Sequence, residues 1–158
     1  MSAVTRPDFG EVRRKIELAL QILYRNDHIL ITNSTNERSI THKLAEYIQK
    51  LFPECHVDCE YNRLGQERPK AILSQDTSYP DIIIHHRITT DNLLIIEVKL
   101  IHSQDHSDIT DKDKIKAYIE NSSYRYQFGL WICFHDNLCE TQLDWFENQD
   151  GFCRGVSS

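Results

Sequence analysis

The order of apolar patterns along this chain predicts an α/β fold, with a mixed central sheet flanked by helices. Two segments with helical spacing of apolar residues come first, and three short strand-like segments, a third helical segment and a final strand follow. The third strand, residues 93–100, is apolar on both faces, as is typical of a strand inside a covered sheet. The helix after it implies a right-handed crossover to a parallel neighbouring strand. We therefore expect the order α-α-β-β-β-α-β.

The composition is that of one globular domain. The 158 residues are 40% apolar and 27% charged, which is enough for a substantial core over residues 1–158. The net charge of −6 argues against a generally basic nucleic-acid binder. The longest apolar runs are too short to span a bilayer, and no apolar segment follows a basic cluster at the start. We therefore expect a cytoplasmic protein, with no membrane partner, whose five cysteines are free thiols.

Two helices are predicted before the first strand. Apolar residues recur at helical spacing over residues 9–26, which we interpret as an accessory helix within residues 1–32. A second helix is predicted over residues 34–51, where Ser34 and Glu37 fit a capping box. Pro53 ends this helix, because the residue before a proline disfavours the helical conformation.

A strand, a loop and a hairpin come next. Residues 56–62 alternate between apolar and polar side chains, which is typical of a half-buried strand. Residues 63–78 are polar and predict a long loop. The apolar runs 82–84 and 93–100 flank a polar turn, so they predict two antiparallel strands joined as a hairpin.

The C-terminal part completes the predicted core, which covers about residues 33–135. Residues 110–120 predict a helix, and the apolar run 126–135 predicts the fourth strand. Residues 136–158 are expected to form a short closing helix, over 140–148, and a loose tail.

Three charged residues lie inside the apolar hairpin, namely Asp81, Glu97 and Lys99. Ionised groups are seldom buried without partners, because desolvating them costs several kcal/mol. If the turn centres on Thr89, Asp81 lies opposite Glu97, and their Cβ atoms would be roughly 4.5–5.5 Å apart. Repulsion between the two carboxylates would be relieved by a cation such as Mg²⁺. Lys99 shares a strand face with Glu97 and would stand beside that cation.

At these residues the chain resembles the PD-(D/E)XK nuclease superfamily, which has the restriction-endonuclease-like fold. Pro80-Asp81 matches the PD element and Glu97-Val98-Lys99 matches the ExK element, on a hairpin with a predicted helix on each side. The resemblance implies an α-β-β-β-α-β core and Mg²⁺-dependent hydrolysis of phosphodiester bonds in DNA or RNA. Asp81, Glu97 and the Val98 carbonyl would hold the metal, and Lys99 would act on the water or the phosphate. Mn²⁺ should substitute for Mg²⁺, since it accepts the same oxygen ligands.

Further site residues follow from the same resemblance or from charge. Glu37 resembles the acidic residue that many family members place on the helix before the sheet, although a capping role explains it equally well. Lys112 and Lys116 are four apart on the third helix and share a face that could contact phosphate. The predicted loop 63–78 adds further candidate nucleic-acid contacts. These are Arg63, Arg68 and Lys70.

Two alternatives to catalysis remain open from the residues. The chain could be an inactive nuclease-fold module that binds nucleic acid or a protein partner, which its acidic net charge favours. It could also be a structural protein in which Glu97 simply pairs with Lys99 or with a lysine of a neighbouring helix. Small nucleases of this kind often act as homodimers or within larger complexes, so either assembly is compatible with the resemblance.

Overall fold

The sheet and its helices follow the predicted order and then extend beyond it. The computed structural model describes residues 5–33, 36–61, 79–103 and 108–157. Within these ranges three helices and six strands are present. The helices are α1 (Phe9–Thr32), α2 (Glu37–Leu51) and α3 (Asp108–Glu120). The strands are β1 (His56–Cys59), β2 (Ile82–His85), β3 (Asn92–Leu100), β4 (Phe128–Phe134), β5 (Gln142–Gln149) and β6 (Phe152–Val156).

The six strands form one mixed, open sheet in the order β1-β2-β3-β4-β5-β6. Neighbouring strands are antiparallel, except that β3 and β4 are parallel. The parallel pair is joined through α3, so the predicted parallel pairing across a helix is confirmed. The antiparallel β2–β3 hairpin is also confirmed.

Helices cover the two faces of the sheet. Even-numbered strand residues such as Ile82 and Ile96 pack with α1 and α2 in one core, which includes Ile16 and Leu44. Odd-numbered residues of β2 and β3 face α3 instead, because successive side chains of a strand point to opposite faces. Glu97 and Lys99 therefore lie on the α3 face of β3.

One close approach brings α3 against β4. A Cβ atom on Gly129 would collide with Ile115 Cγ2 and lie 2.9 Å from Ile119 Cδ1. Only a residue without a side chain leaves α3 this close to the sheet, which sets the position of the helix over β3 and β4.

The start of α2 differs from its prediction. The helix begins at Glu37, and its N-cap is Asn36, whose Oδ1 accepts a hydrogen bond from the Arg38 N–H at 2.9 Å. The predicted start near Ser34 is therefore wrong. Asn36, two residues after Ser34, is the residue that caps the first turn of the helix. Ser34 itself lies outside the described residues. The predicted end at Leu51 is confirmed.

The C-terminal region contains strands rather than the predicted helix and loose tail. After a 3₁₀ turn at Leu138–Glu140, the chain forms the β5–β6 hairpin on the edge of β4. Trp145 is buried and packs edge-on against the ring of Phe9 with a centroid distance of 5.4 Å. The helix prediction was wrong because β5 hydrogen-bonds to the free edge of β4, and the pattern of neighbouring residues carries no information about that distant partner. The turn signal was present, since Asp150 and Gly151 have φ values of 54° and 90°, as a two-residue hairpin turn requires.

No helix within the described ranges is long and apolar enough to cross a membrane.

Candidate functional site

The hairpin places Asp81 and Glu97 side by side. Ile82 pairs with Ile96, and the same register puts Asp81, which precedes β2 by one residue, opposite Glu97. The backbone N–H of Val98 donates a hydrogen bond to Asp81 Oδ2 at 2.8 Å. The carbonyl of Asp81 also accepts a bond from the Glu60 N–H at 3.3 Å. The register predicted from the sequence is therefore confirmed, and the aspartate is tied to both neighbouring segments.

The burial of these two acids is unfavourable for their charged forms. Glu97 is only 2% exposed. Burial, together with the nearby charge of Asp81, raises the pKa of Glu97 well above its usual value. Burial also raises the pKa of Asp81, although the Val98 N–H and the Lys114 ammonium oppose this shift. It is therefore unfavourable for both carboxyl groups to be ionised at once, and a bound cation would reduce the repulsion between their charges.

Lys114 on α3 supplies a positive charge directly to Glu97. Its Nζ atom lies 2.9 Å from both Oε1 and Oε2 of Glu97, and the side chain is 12% exposed. Only the contact to Oε2 has hydrogen-bond geometry. Oε1 is buried and accepts no hydrogen bond from the described part of the chain. Glu97 therefore pairs with a lysine of a neighbouring helix, which is one of the two partners that the structural alternative names, and that lysine is Lys114.

Two further carboxylates and Lys99 complete a polar cavity of about 140 Å³. Glu37 is the first residue of α2, and Asp111 lies on α3, three residues before Lys114. Burial, with the charges of Asp81 and Asp111, raises the pKa of Glu37, and Lys99 lowers it. Burial also raises the pKa of Asp111, which Lys99 and Lys114 lower. The residues of this carboxylate cavity that matter here are Glu37, Asp81, Glu97, Lys99, Asp111 and Lys114.

A second cavity, of about 220 Å³, lies beside α2 and the end of β1. Glu37 and Asp81 line both cavities, and Arg38, His42 and Glu60 line the second one.

Asp111 and Lys114 were missed by the sequence reasoning. Asp111 is four residues before Ile115, and Lys114 is four residues before Tyr118, so both lie beside the apolar residues that α3 buries. Charged residues on the face of a helix that also carries its buried apolar residues would have indicated these two side chains. This signal went unused because the sequence does not say which end of α3 approaches the carboxylates.

The predicted basic contacts lie elsewhere or outside the described residues. Lys112 pairs with Asp144 on β5 at 2.6 Å and lies over the ring of Trp131, 4.2 Å from its centroid. Lys116 is exposed and does not line the carboxylate cavity. Their contact with nucleic acid stays a prediction. The remaining three, in the predicted loop, fall outside the described ranges. These are Arg63, Arg68 and Lys70.

The donor atoms of the cavity suit a hard divalent cation, but they are not yet arranged around one. Carboxylate oxygens are the ligands that Mg²⁺ prefers, and Glu97 Oε1 is a buried acceptor without a hydrogen-bond donor in the described chain. Among residues 5–33, 36–61, 79–103 and 108–157, no three His, Cys, Asp or Glu side chains converge closely enough to hold a metal ion.

No protein-family model, curated protein or solved structure matches this chain.

Proposed function

We propose that this chain is a Mg²⁺-dependent nuclease with a restriction-endonuclease-like core, which hydrolyses phosphodiester bonds in DNA. The observation that carries the proposal is that Asp81, Glu97 and Lys99 line one polar cavity, together with Glu37 and Asp111. The element order from α2 to β4 supports the proposed core, with α1 and the β5–β6 hairpin as additions.

Each residue of the cavity has a role that its position supports. Asp81 and Glu97, with the Val98 carbonyl, would hold the cation, and Glu37 would order the water around it. Bound Mg²⁺ would make an attacking water more acidic and neutralise charge on the phosphate. Lys99 is 6% exposed and lies on the same strand face as Glu97. Its ammonium would stabilise the negative charge that develops on the phosphate.

A binding module without catalysis is the second candidate, and one observation favours it. Lys114 already contacts both carboxylate oxygens of Glu97, and no three acidic or other metal-binding side chains converge within the described residues. A nuclease fold that no longer binds metal would have this arrangement. The module would then bind nucleic acid or a protein partner through another surface.

Cleavage of labelled single-stranded, double-stranded and branched DNA and of RNA, in Mg²⁺, Mn²⁺ and EDTA, tests the proposal. We expect metal-dependent cutting that falls about 10²–10³-fold in Lys99→Met, because one electrostatic contact to the transition state is lost. Lys50→Met is the matched control, since it removes the same charge from an exposed position at the end of α2, away from the carboxylate cavity. The RNA arm decides the substrate class.

Two results would overturn the assignment. Cutting at the wild-type rate by a folded Lys99→Met or Glu97→Gln variant would exclude these residues from the reaction. A well-folded wild type that cuts none of the substrates would favour the binding module.

A further inference from the structure

Lys114 occupies the centre of the carboxylate cavity. Its ammonium lies 2.9 Å from both oxygens of Glu97, and its charge is near enough to Asp81 and Asp111 to lower the pKa of each. The side chain is 12% exposed, so water screens this charge only weakly. This one ammonium thus contacts Glu97 and lies near two further carboxylates, Asp81 and Asp111.

A divalent cation cannot share this position with the ammonium. Nζ lies 2.9 Å from both oxygens of Glu97, and Mg²⁺–oxygen contacts are about 2.0–2.1 Å, so a metal bound by both of these oxygens would overlap the ammonium. Two positive charges a few ångströms apart in a partly buried site also repel each other strongly.

We propose that the Lys114 ammonium competes with a divalent cation for the two oxygens of Glu97, so that a metal bound by both oxygens must displace it. This inference rests on the nuclease function proposed above and adds a residue that sets its metal affinity. Asp111, three residues earlier on α3, offers the displaced ammonium another carboxylate partner. Lys114 is therefore a positioning residue that keeps Glu97 buried and compensated, and weakens metal binding.

Calorimetric titration of the full, metal-stripped chain with Mn²⁺ tests this inference without measuring activity. We expect Lys114→Met to bind Mn²⁺ about tenfold more tightly than wild type or better, because the competing charge is gone. Lys114→Arg keeps the charge and should keep the weak affinity. Lys50→Met, which removes a charge from an exposed position on α2, should bind as wild type does.

The outcomes separate this inference from the nuclease proposal. Tighter binding in Lys114→Met that disappears when Asp81→Asn is added supports both, and so does binding by Lys114→Met where the wild type binds none. Binding by wild type that is equal or weaker in folded Lys114→Met overturns the displacement alone. If folded wild type and Lys114→Met both bind no Mn²⁺, the metal site and the displacement are both refuted. Circular dichroism of each variant checks the fold.

Discussion

Replacing Glu97 with glutamine should change how the stability of the metal-free protein depends on pH. Burial and the charge of Asp81 raise the pKa of Glu97 in the folded state. The folded chain therefore holds this proton more tightly than the unfolded chain does. The contribution to stability is complete below the unfolded pKa, about 4.3, and is lost as pH rises towards the folded pKa. Glutamine cannot ionise, so the variant does not lose stability in this way as pH rises.

The size of the effect follows from the burial of the carboxyl. Glu97 is 2% exposed, so the folded and unfolded states differ by nearly a full proton between the two pKa values. Each pH unit in that interval then costs wild type about 1.36 kcal/mol that the variant keeps. The variant also loses the contact between Glu97 and Lys114, which lowers its stability. Asp81 and Asp111 remain near the Lys114 ammonium, so this loss should be the same at each pH and should not change how the stability difference depends on pH.

Urea unfolding in EDTA between about pH 5 and pH 8 measures the slope directly. The free energy of unfolding of Glu97→Gln, relative to wild type, should rise with pH. Glu46→Gln, on the exposed side of α2, is the control and should show a constant difference from wild type. Parallel curves for Glu97→Gln and wild type would refute the reasoning, since they would mean that Glu97 ionises as easily in the folded state as in the unfolded chain.

Three further changes test the elements that hold the site. Gly129→Ala should cost about 1–3 kcal/mol in urea unfolding, because the new methyl group collides with two isoleucines of α3; a stability equal to wild type would contradict this packing. Tyr24→Phe should cost about 1 kcal/mol, since the hydroxyl donates to the carbonyl just after β4 at 2.6 Å; an unchanged urea midpoint would count against that bond. Burial alone would raise the pKa of Asp58, but hydrogen bonds from Arg87 and His85 lower it, so its contribution is present at neutral pH and lost as pH falls through the folded pKa. Asp58→Asn should therefore cost about 1.5–3 kcal/mol at pH 7 and less in acid, and a deficit independent of pH would exclude the ion pair as its source.

The hairpin that carries Asp81 and Glu97 was predictable because its information is local. Two apolar runs, a polar turn and the two-residue period of strands are sufficient to specify which residues face each other. The register confirmed by the Ile82–Ile96 pair needed no knowledge of the rest of the chain. The parallel pairing of β3 and β4 was predictable for a similar reason, since the handedness of crossovers leaves few arrangements.

The β5–β6 hairpin was not predicted, because its stability comes from a distant partner. The residues of β5 are largely half-buried, and their pattern is too polar to resemble a core strand. They form a strand because β4 presents unpaired backbone groups and because Trp145 reaches the ring of Phe9, 136 positions earlier in the numbering. Local propensity is a weak guide where such long-range pairing decides the structure.

The chemistry of the site divides in the same way. The residue types and spacing in the hairpin determined that two carboxylates and Lys99 lie together, because strand geometry relates neighbours along the chain. That Lys114 contacts Glu97, and that Glu37 and Asp111 line the same cavity, depends on how α2 and α3 pack on the sheet. Side-chain packing sets those distances, including the close approach at Gly129, and only the folded arrangement specifies it.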